Sequence, residues 1–571
     1  MSTRLKSLVL CLSLLFFASF ANADDAADVQ RIISTASKDS QVMQDLDWLT
    51  NRIGPRLTSS DNLQDAVEWA RDRFKEEGLD NARLEEWGEF PVGFNRGPWS
   101  GHVITPETRT LEFGTNAWTA GTQGVVRGKA ILAPKNEEQL DTVRDSLPGV
   151  WILAADRGLP RFGQELLGSS TRPSEVFRRK LEAAYESAHI AGMVRPTQGS
   201  LVVTDGSYRI TWDKLPTIPQ IMLVRKQFDE ISTWLKDGKD VTLEFDIRNH
   251  FRKGPIKLYN VIADIPGTEH PDEFVIIGGH IDSWDGATGA TDNGTGCATT
   301  LEAARILIAS GLKPKRTIRF MLWSGEEQGL FGSKAYVKAH PELMPKISVV
   351  LVHDGGTNYL SGIGGTVAMQ DDFHQVFDPI TKLDAAMPFR IGKVDGFRPA
   401  GGSDHVSFIA AGVPGIFWNQ AGTAVYVHTH HTQFDTYDAA IPDYQKHSSI
   451  VLAVGAYGIA NLDHLLSREK LLLPGGGGGR GGGNRRLLGV QLDDLKVADA
   501  EAGGVFDKAG GKAGDTLVSI NDRKIADRSE LTGLIQSAPP KSKMIVSRDG
   551  KDVELSLDFP APATRPATGP Q

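Results

Sequence analysis

Apolar residues recur at helical spacing at Leu63, Val67, Ala70 and Phe74, and Gly78 then supplies a stop, so residues 24–87 read as largely helical. From about residue 116 to residue 249 the pattern changes to short apolar runs broken by turn residues, such as GVVRGKAILA, GVWILAAD and VTLEFDI, which predict a separate strand-rich module. After Lys257, apolar strands alternate with helical segments, the sign of βαβ units and a parallel sheet. The fold class expected is therefore α/β, with a mixed, mostly parallel sheet sandwiched by helices and interrupted by the strand-rich insert.

Three of the later strands end alike. FVIIGGHID closes on His280 and Asp282, TIRFMLWSGEE on Glu326 and Glu327, and ISVVLVHDGG on His353 and Asp354. Ligands of open α/β sheets bind beyond the carboxyl ends of the strands, so parallel neighbours ending this way would deliver His and acids into one crevice. One such ending is weak evidence, because a charged residue often only marks a solvated loop. Three in series, without Lys or Arg at the same places, favour a site.

The ends of the chain add two further elements. Arg4 and Lys6 precede an apolar run over residues 8–20 and then Ala21-Asn22-Ala23, the pattern of a signal peptide spanning residues 1–23. Its removal would shift the net charge from −9 to −11 and take Cys11 with it, leaving Cys297 as the lone thiol. An exported chain, periplasmic or secreted, would then have no intramolecular disulfide. No later stretch reads as a membrane span, and the acidic balance speaks against a nucleic-acid partner. Towards the other end, glycines cluster over residues 475–483, within a flexible linker assigned to 471–485. A compact segment follows over 486–559, then a Pro/Ala/Thr-rich tail at 560–571 that is expected to be disordered.

With a single thiol left, any metal must be held by imidazole and carboxylate. The inventory is His280, Asp282, Asp292, Glu326, Glu327, Asp354 and the cluster holding His428, His430 and His431. Such a mixture suits zinc, with manganese or cobalt also compatible, whereas carboxylates alone would suggest magnesium or calcium. A Glu-Glu pair offers one carboxylate to a metal and its neighbour to a proton. Asp282, two residues beyond His280, could accept the second imidazole N–H and fix the tautomer.

Taken together, GGHIDSWD, GATDNGTG, LWSGEEQG, HDGGTNY and HTQFDT resemble the di-zinc exopeptidases of clan MH, the aminopeptidase group, and within it the carboxypeptidase Q type. The resemblance spans about residues 28–470 and implies the zinc exopeptidase fold, peptide substrates, two Zn2+ per chain and hydrolysis of the aminopeptidase, dipeptidase or carboxypeptidase type. It implies His280, Glu327, Asp354 and His431 as terminal ligands and Asp292 as the bridging one, pairing His280 with Asp354 and Glu327 with His431. Glu326 matches the general base and Asp282 the residue that supports the ligand His280 from behind. His431 fits the family's His-Thr-x-x-Asp-Thr frame better than His428 or His430, and Asp285 is read as a turn cap. Asp404 and His405, in GGSDHVSF, match a site-proximal motif, with substrate contact or a structural hydrogen bond as their two readings. His353 stands where the family tends to have a small or polar residue, so it either packs or adds a ligand.

The accessory parts carry resemblances of their own. Residues 116–249 are similar to a protease-associated domain, a lid or substrate-positioning insert, which leaves 24–115 and 250–470 as the two parts of the peptidase domain. Residues 486–559 resemble a bacterial PDZ domain, with Gly489-Val490 near the place of the carboxylate-binding loop, implying a peptide terminus or partner protein bound by strand addition. Two other readings stay open: a catalytically silent peptide-binding scaffold, and a glutaminyl cyclase-like acyltransferase with one zinc.

Overall fold

The computed structural model describes residues 23–155, 175–471 and 488–559, apart from 494, 501–503, 526–530, 532–533 and 536–537. The signal peptide, the glycine tether and the tail expected from the sequence lie outside the described residues. The chain divides into two units, residues 1–476 and 477–571.

The larger unit is built on a six-stranded sheet in the order Arg83–Asn95, His250–Ile265, Arg316–Trp323, His270–His280, Ile347–Val352, Gly415–Phe417. The first two pairings are antiparallel and the last three parallel. Every residue of Arg316–Trp323 and Ile347–Val352 is buried, which is why these strands read as mostly apolar runs instead of alternating ones; the buried Arg316 and Arg319 are paired with Glu273 and Asp264. One face is covered by Thr295–Ser310 and Pro442–Ala460, two helices apolar on nearly every side that pack on each other and on the sheet. The amphipathic helix Asp61–Glu76, capped by the Ser60 hydroxyl accepting from the Leu63 N–H, lays Leu63, Ala66, Val67, Ala70 and Phe74 into the same core.

Two differences from the sequence reading have a common cause. Residues 83–95 form a strand instead of continuing the helical region, and they pair along their whole length with His250–Ile265. The sheet of the insert starts at Trp99, not near residue 116, because Trp99–Thr105 pairs with Thr242–Ile247. The chain thus enters and leaves the insert as adjacent antiparallel strands. Pairing partners about 150 residues apart, not local propensity, make these segments strands.

The insert forms an eight-stranded sheet, with Arg109–Thr110, Trp99–Thr105, Thr242–Ile247, Val126–Leu132, Trp151–Leu153, Gly192–Pro196, Gln220–Leu223 and Phe113–Thr115 in that order. It also carries the helices Glu137–Val143, Glu175–Ala188 and Arg225–Lys236, and a core of its own around Val103, Trp151, Phe228 and Phe245. The smaller unit is an antiparallel sheet of Val490–Asp493, Lys496–Ala500, Thr516–Ile520, Lys541–Arg548 and Lys551–Asp558 around Phe506, Leu517, Met544 and Leu555. Among the described residues, no helix is long and apolar enough to cross a membrane.

Candidate metal centre

The parallel strands place their carboxyl ends side by side, and the loops that follow them carry the site. His280 is the last residue of its strand, Asp354 lies two residues beyond Ile347–Val352, and Glu326-Glu327 follow Arg316–Trp323. Asp292 stands in a kinked segment, Ala290–Gly294, just before the helix Thr295–Ser310. His431 follows the short helix Tyr426–Thr429 with its backbone in the left-handed region, at φ 59°.

These five side chains form two triads joined through one carboxylate. Asp292 Oδ1 and Asp354 Oδ1 lie 3.2 and 3.4 Å from His280 Nε2. Asp292 Oδ2 and Glu327 Oε2 lie 3.2 and 3.1 Å from His431 Nε2. Donors about 2.1 Å from a tetrahedral ion stand roughly 3.4 Å from each other; the ligand atoms of His280, Asp292 and Asp354 all lie within 4.8 Å of one another, as do those of Asp292, His430 and His431, and Glu327 joins this second group through His431. The second oxygen of Glu327, Oε1, is buried with no hydrogen-bond partner, which also fits an acceptor awaiting a cation.

The electrostatics point the same way. Burial opposes a charged imidazole at His280, yet Asp354 and Glu326 outweigh it and hold the group well above its ordinary pKa. His431 is raised to about 10 against the same burial, by Glu327 and Asp292. Burial opposes ionisation of Asp292 too, but hydrogen bonds from both imidazoles hold it far below the usual carboxylate range. Glu327 is pushed up to about 7 by burial and by the charge of Asp292. Without a metal, the acids draw protons onto the imidazoles. A divalent cation satisfies the same acids while leaving both Nε2 lone pairs free to bind it.

Asp282 supports the site differently from the expectation. The carbonyl of Asp282, not its carboxylate, is the near neighbour of His280 Nδ1, at 2.9 Å against 3.7 Å. A carbonyl only accepts, so Nδ1 carries the proton and Nε2 is left for a ligand. The Asp282 carboxylate accepts instead from the Thr58 hydroxyl at 2.7 Å and from the Glu326 N–H at 3.2 Å, tying the Glu-Glu turn to the His280 loop. Glu326 is raised well above the usual range by burial, and the charges of Asp354, Glu327 and Asp404 add to that rise.

The remaining candidates fall into place around this centre. His430 stacks on His431 at 3.8 Å, and its Nε2 is 3.7 Å from Asp292 Oδ2. His428 stacks on Phe434. His353 is fully buried, meets the Thr299 hydroxyl at 2.7 Å through Nδ1, and is pushed down to about 4 by burial, so it packs as a neutral ring. Asp285 is no simple turn cap: it forms a buried ion pair with Arg96 at 2.8 Å. Asp404 is fully buried and pushed up to about 7 by that burial, and the ring of His405 packs on Phe417.

Two further residues that hold this geometry are not among the candidates the sequence singles out. The Asp435 carboxylate accepts from the N–H of Thr291 at 2.6 Å and of Asp292 at 3.3 Å, holding the kink that aims Asp292. Asp435 was visible only as a position in the His-Thr-x-x-Asp-Thr frame. The guanidinium of Arg56, completely buried, donates to the carbonyls of Ile281, Thr288 and Gly289 at 2.7, 2.9 and 2.7 Å, and to those of Leu49 and Gly54. It thereby gathers the loop between His280 and Asp292. Gly289 enters that loop with φ 65°, and a Cβ there would lie 2.4 Å from the Ser283 side chain.

Residues 260–454 match Peptidase family M28, and residues 496–549 match a PDZ domain. The chain is 28% identical over 458 residues to carboxypeptidase Q of Rattus norvegicus, covering 79% of this chain and 92% of that protein. It is 25% identical over 426 residues to carboxypeptidase Q of Homo sapiens, covering 74% and 85%. Among solved structures it is similar to a peptidase M28 precursor from Shewanella amazonensis, with a TM-score of 0.55 and 26% identity over 78% of this chain and 99% of that one.

Proposed function

We propose, from the premise that this chain is a zinc metallopeptidase of family M28 with a C-terminal PDZ domain, that it is an exported di-zinc exopeptidase acting on peptide ends. The observation that carries the two-ion reading is the sharing of Asp292 between the triads, one oxygen facing His280 and the other His431. His280 with Asp354 would hold one ion, Glu327 with His431 the other, and Asp292 would bridge them. The PDZ domain is read as the site for a peptide terminus or partner protein. Export rests on the leader pattern of residues 1–23.

When bound, the ions supply Lewis-acid polarisation of the scissile carbonyl and a lowered pKa for the attacking water. The side chains do the rest. Glu326, adjacent to Glu327 and anchored through its N–H to Asp282, takes a proton from the attacking water at its carboxylate and returns it to the leaving amine nitrogen. Asp282 keeps this base in register with His280, whose Nδ1–H is fixed by the Asp282 carbonyl.

Metal analysis combined with Glu326→Ala tests the reading. The wild-type chain should bind two zinc ions and cleave dipeptides or aminoacyl anilides until a chelator is added. The variant should keep both ions while turnover falls on the order of 100- to 10,000-fold. Retained turnover would remove Glu326 as the base. A single ion per chain would favour the acyltransfer chemistry instead.

A further inference from the structure

Of the five proposed ligands, His431 is the least enclosed: its side chain is 26% exposed, against 1% for His280 and 3% for Glu327. It is also the one with a left-handed backbone, a conformation uncommon for a non-glycine residue. Its ring packs against Trp284 and His430, while the segment of the insert just before the Ala117–Gly206 bridge packs on the backbone of its turn.

That segment runs along the His431 turn as a short strap. The Thr204 N–H donates to the His431 carbonyl at 2.7 Å, and Val203 forms an antiparallel bridge with Thr432. The Gln433 side chain closes the pairing: its Oε1 accepts from the Val202 N–H at 2.8 Å, and its Nε2 donates to the Ser200 carbonyl at 3.2 Å and to Glu112 Oε1 at 3.1 Å. On the opposite side the strap rests on the loop that leads to Asp292. A Cβ at Gly286 would lie 1.8 Å from the Thr204 hydroxyl, so only glycine admits the strap there. The same segment therefore touches two of the three loops that carry the proposed Glu327–His431–Asp292 site, those of His431 and Asp292.

We propose that the insert completes the second metal site, with Gln433 as the positioning residue that locks the strap to the His431 turn. The inference rests on the two-ion reading above and adds an asymmetry to it. His280 and Asp354 would hold their ion from buried sheet ends alone, whereas Glu327 at a sheet end would share the other ion with His431, whose turn depends on a contact with a different module.

The test uses the full chain with zinc removed and returned in a competitive titration against a chromophoric chelator. Gln433→Ala should weaken one zinc 10- to 100-fold, the range seen when a group orienting a metal ligand is removed, and leave the other unchanged. Gly286→Ala, which displaces the strap from its other side, should cause the same selective loss. Gln433→Glu keeps an acceptor for Val202 but loses the donor to Ser200 and faces Glu112, so it should fall between. Cobalt(II) in place of zinc should show an altered visible spectrum for one ion only. Wild-type affinity for both ions in Gln433→Ala would overturn the inference, as would equal weakening of both, the mark of a general loss of stability. If the wild-type chain binds a single ion, the two-ion reading fails separately, and unchanged affinity for that ion in Gln433→Ala would overturn this inference as well.

Discussion

Asp435→Asn should make the metal-free protein more stable and the metal-binding protein worse. The carboxyl is buried, and burial together with the charge of Asp292 pushes its pKa up to about 7 from an ordinary 3.8. A carboxyl raised in this way binds a proton more tightly when folded than when unfolded. Its penalty is absent below about pH 4 and grows as pH rises to about 7. A shift of that size corresponds to roughly 4 kcal/mol at the upper end of the window. The Asn side chain removes the penalty and keeps one acceptor, but its amide cannot serve both the Thr291 and Asp292 N–H groups. An unsatisfied buried donor costs about 1–3 kcal/mol. The balance is a net stabilisation on the order of 1–3 kcal/mol without metal, with the Asp292 kink less well held. Zinc affinity should therefore fall about 10- to 100-fold. Urea unfolding of chelator-treated protein at pH 4.5 and pH 8, followed by tryptophan fluorescence, measures the first effect. All 11 tryptophans precede residue 477, so the signal reports the peptidase unit alone. A variant less stable than wild type at pH 8, or one with unchanged zinc affinity, would refute the reasoning.

Two other substitutions test the supports of the site. Arg56→Met removes a buried guanidinium that serves five carbonyls and should destabilise the metal-free protein by more than about 3 kcal/mol while lowering zinc affinity, both read from the same unfolding and titration experiments. His353, pushed down to about 4 by burial, has the opposite linkage to Asp435: the folded chain resists its protonation, so its stabilising contribution is complete above pH 6.5 and disappears as pH falls to about 4. Replacing it with Gln should flatten the acid side of the stability profile by on the order of 3 kcal/mol, and an unchanged slope would count against it.

The candidate site was legible to the extent that its residues sit at strand ends. His280, Glu327 and Asp354 announce themselves because mostly apolar runs predict buried parallel strands, and such strands align their final residues. Asp292 and His431 lie in loops, and motif resemblance alone sets Asp292 above Asp285 and His431 above His428 and His430. The strand at residues 83–95 and the early start of the insert were missed because each is stabilised by a partner far along the chain.

The sequence by itself determined which chemistry is available: imidazole and carboxylate, only two cysteines, and a Glu pair at the end of a buried strand. The tertiary structure alone decided how these groups are held. Arg56 reaches Gly289 across 233 residues, Asp435 reaches Thr291 across 144, and Gln433 reaches Val202 across 231. None of these contacts has a period or a local spacing. Each satisfies a buried backbone group that would otherwise be left without a partner, and which side chain does so is settled only when the whole chain has packed.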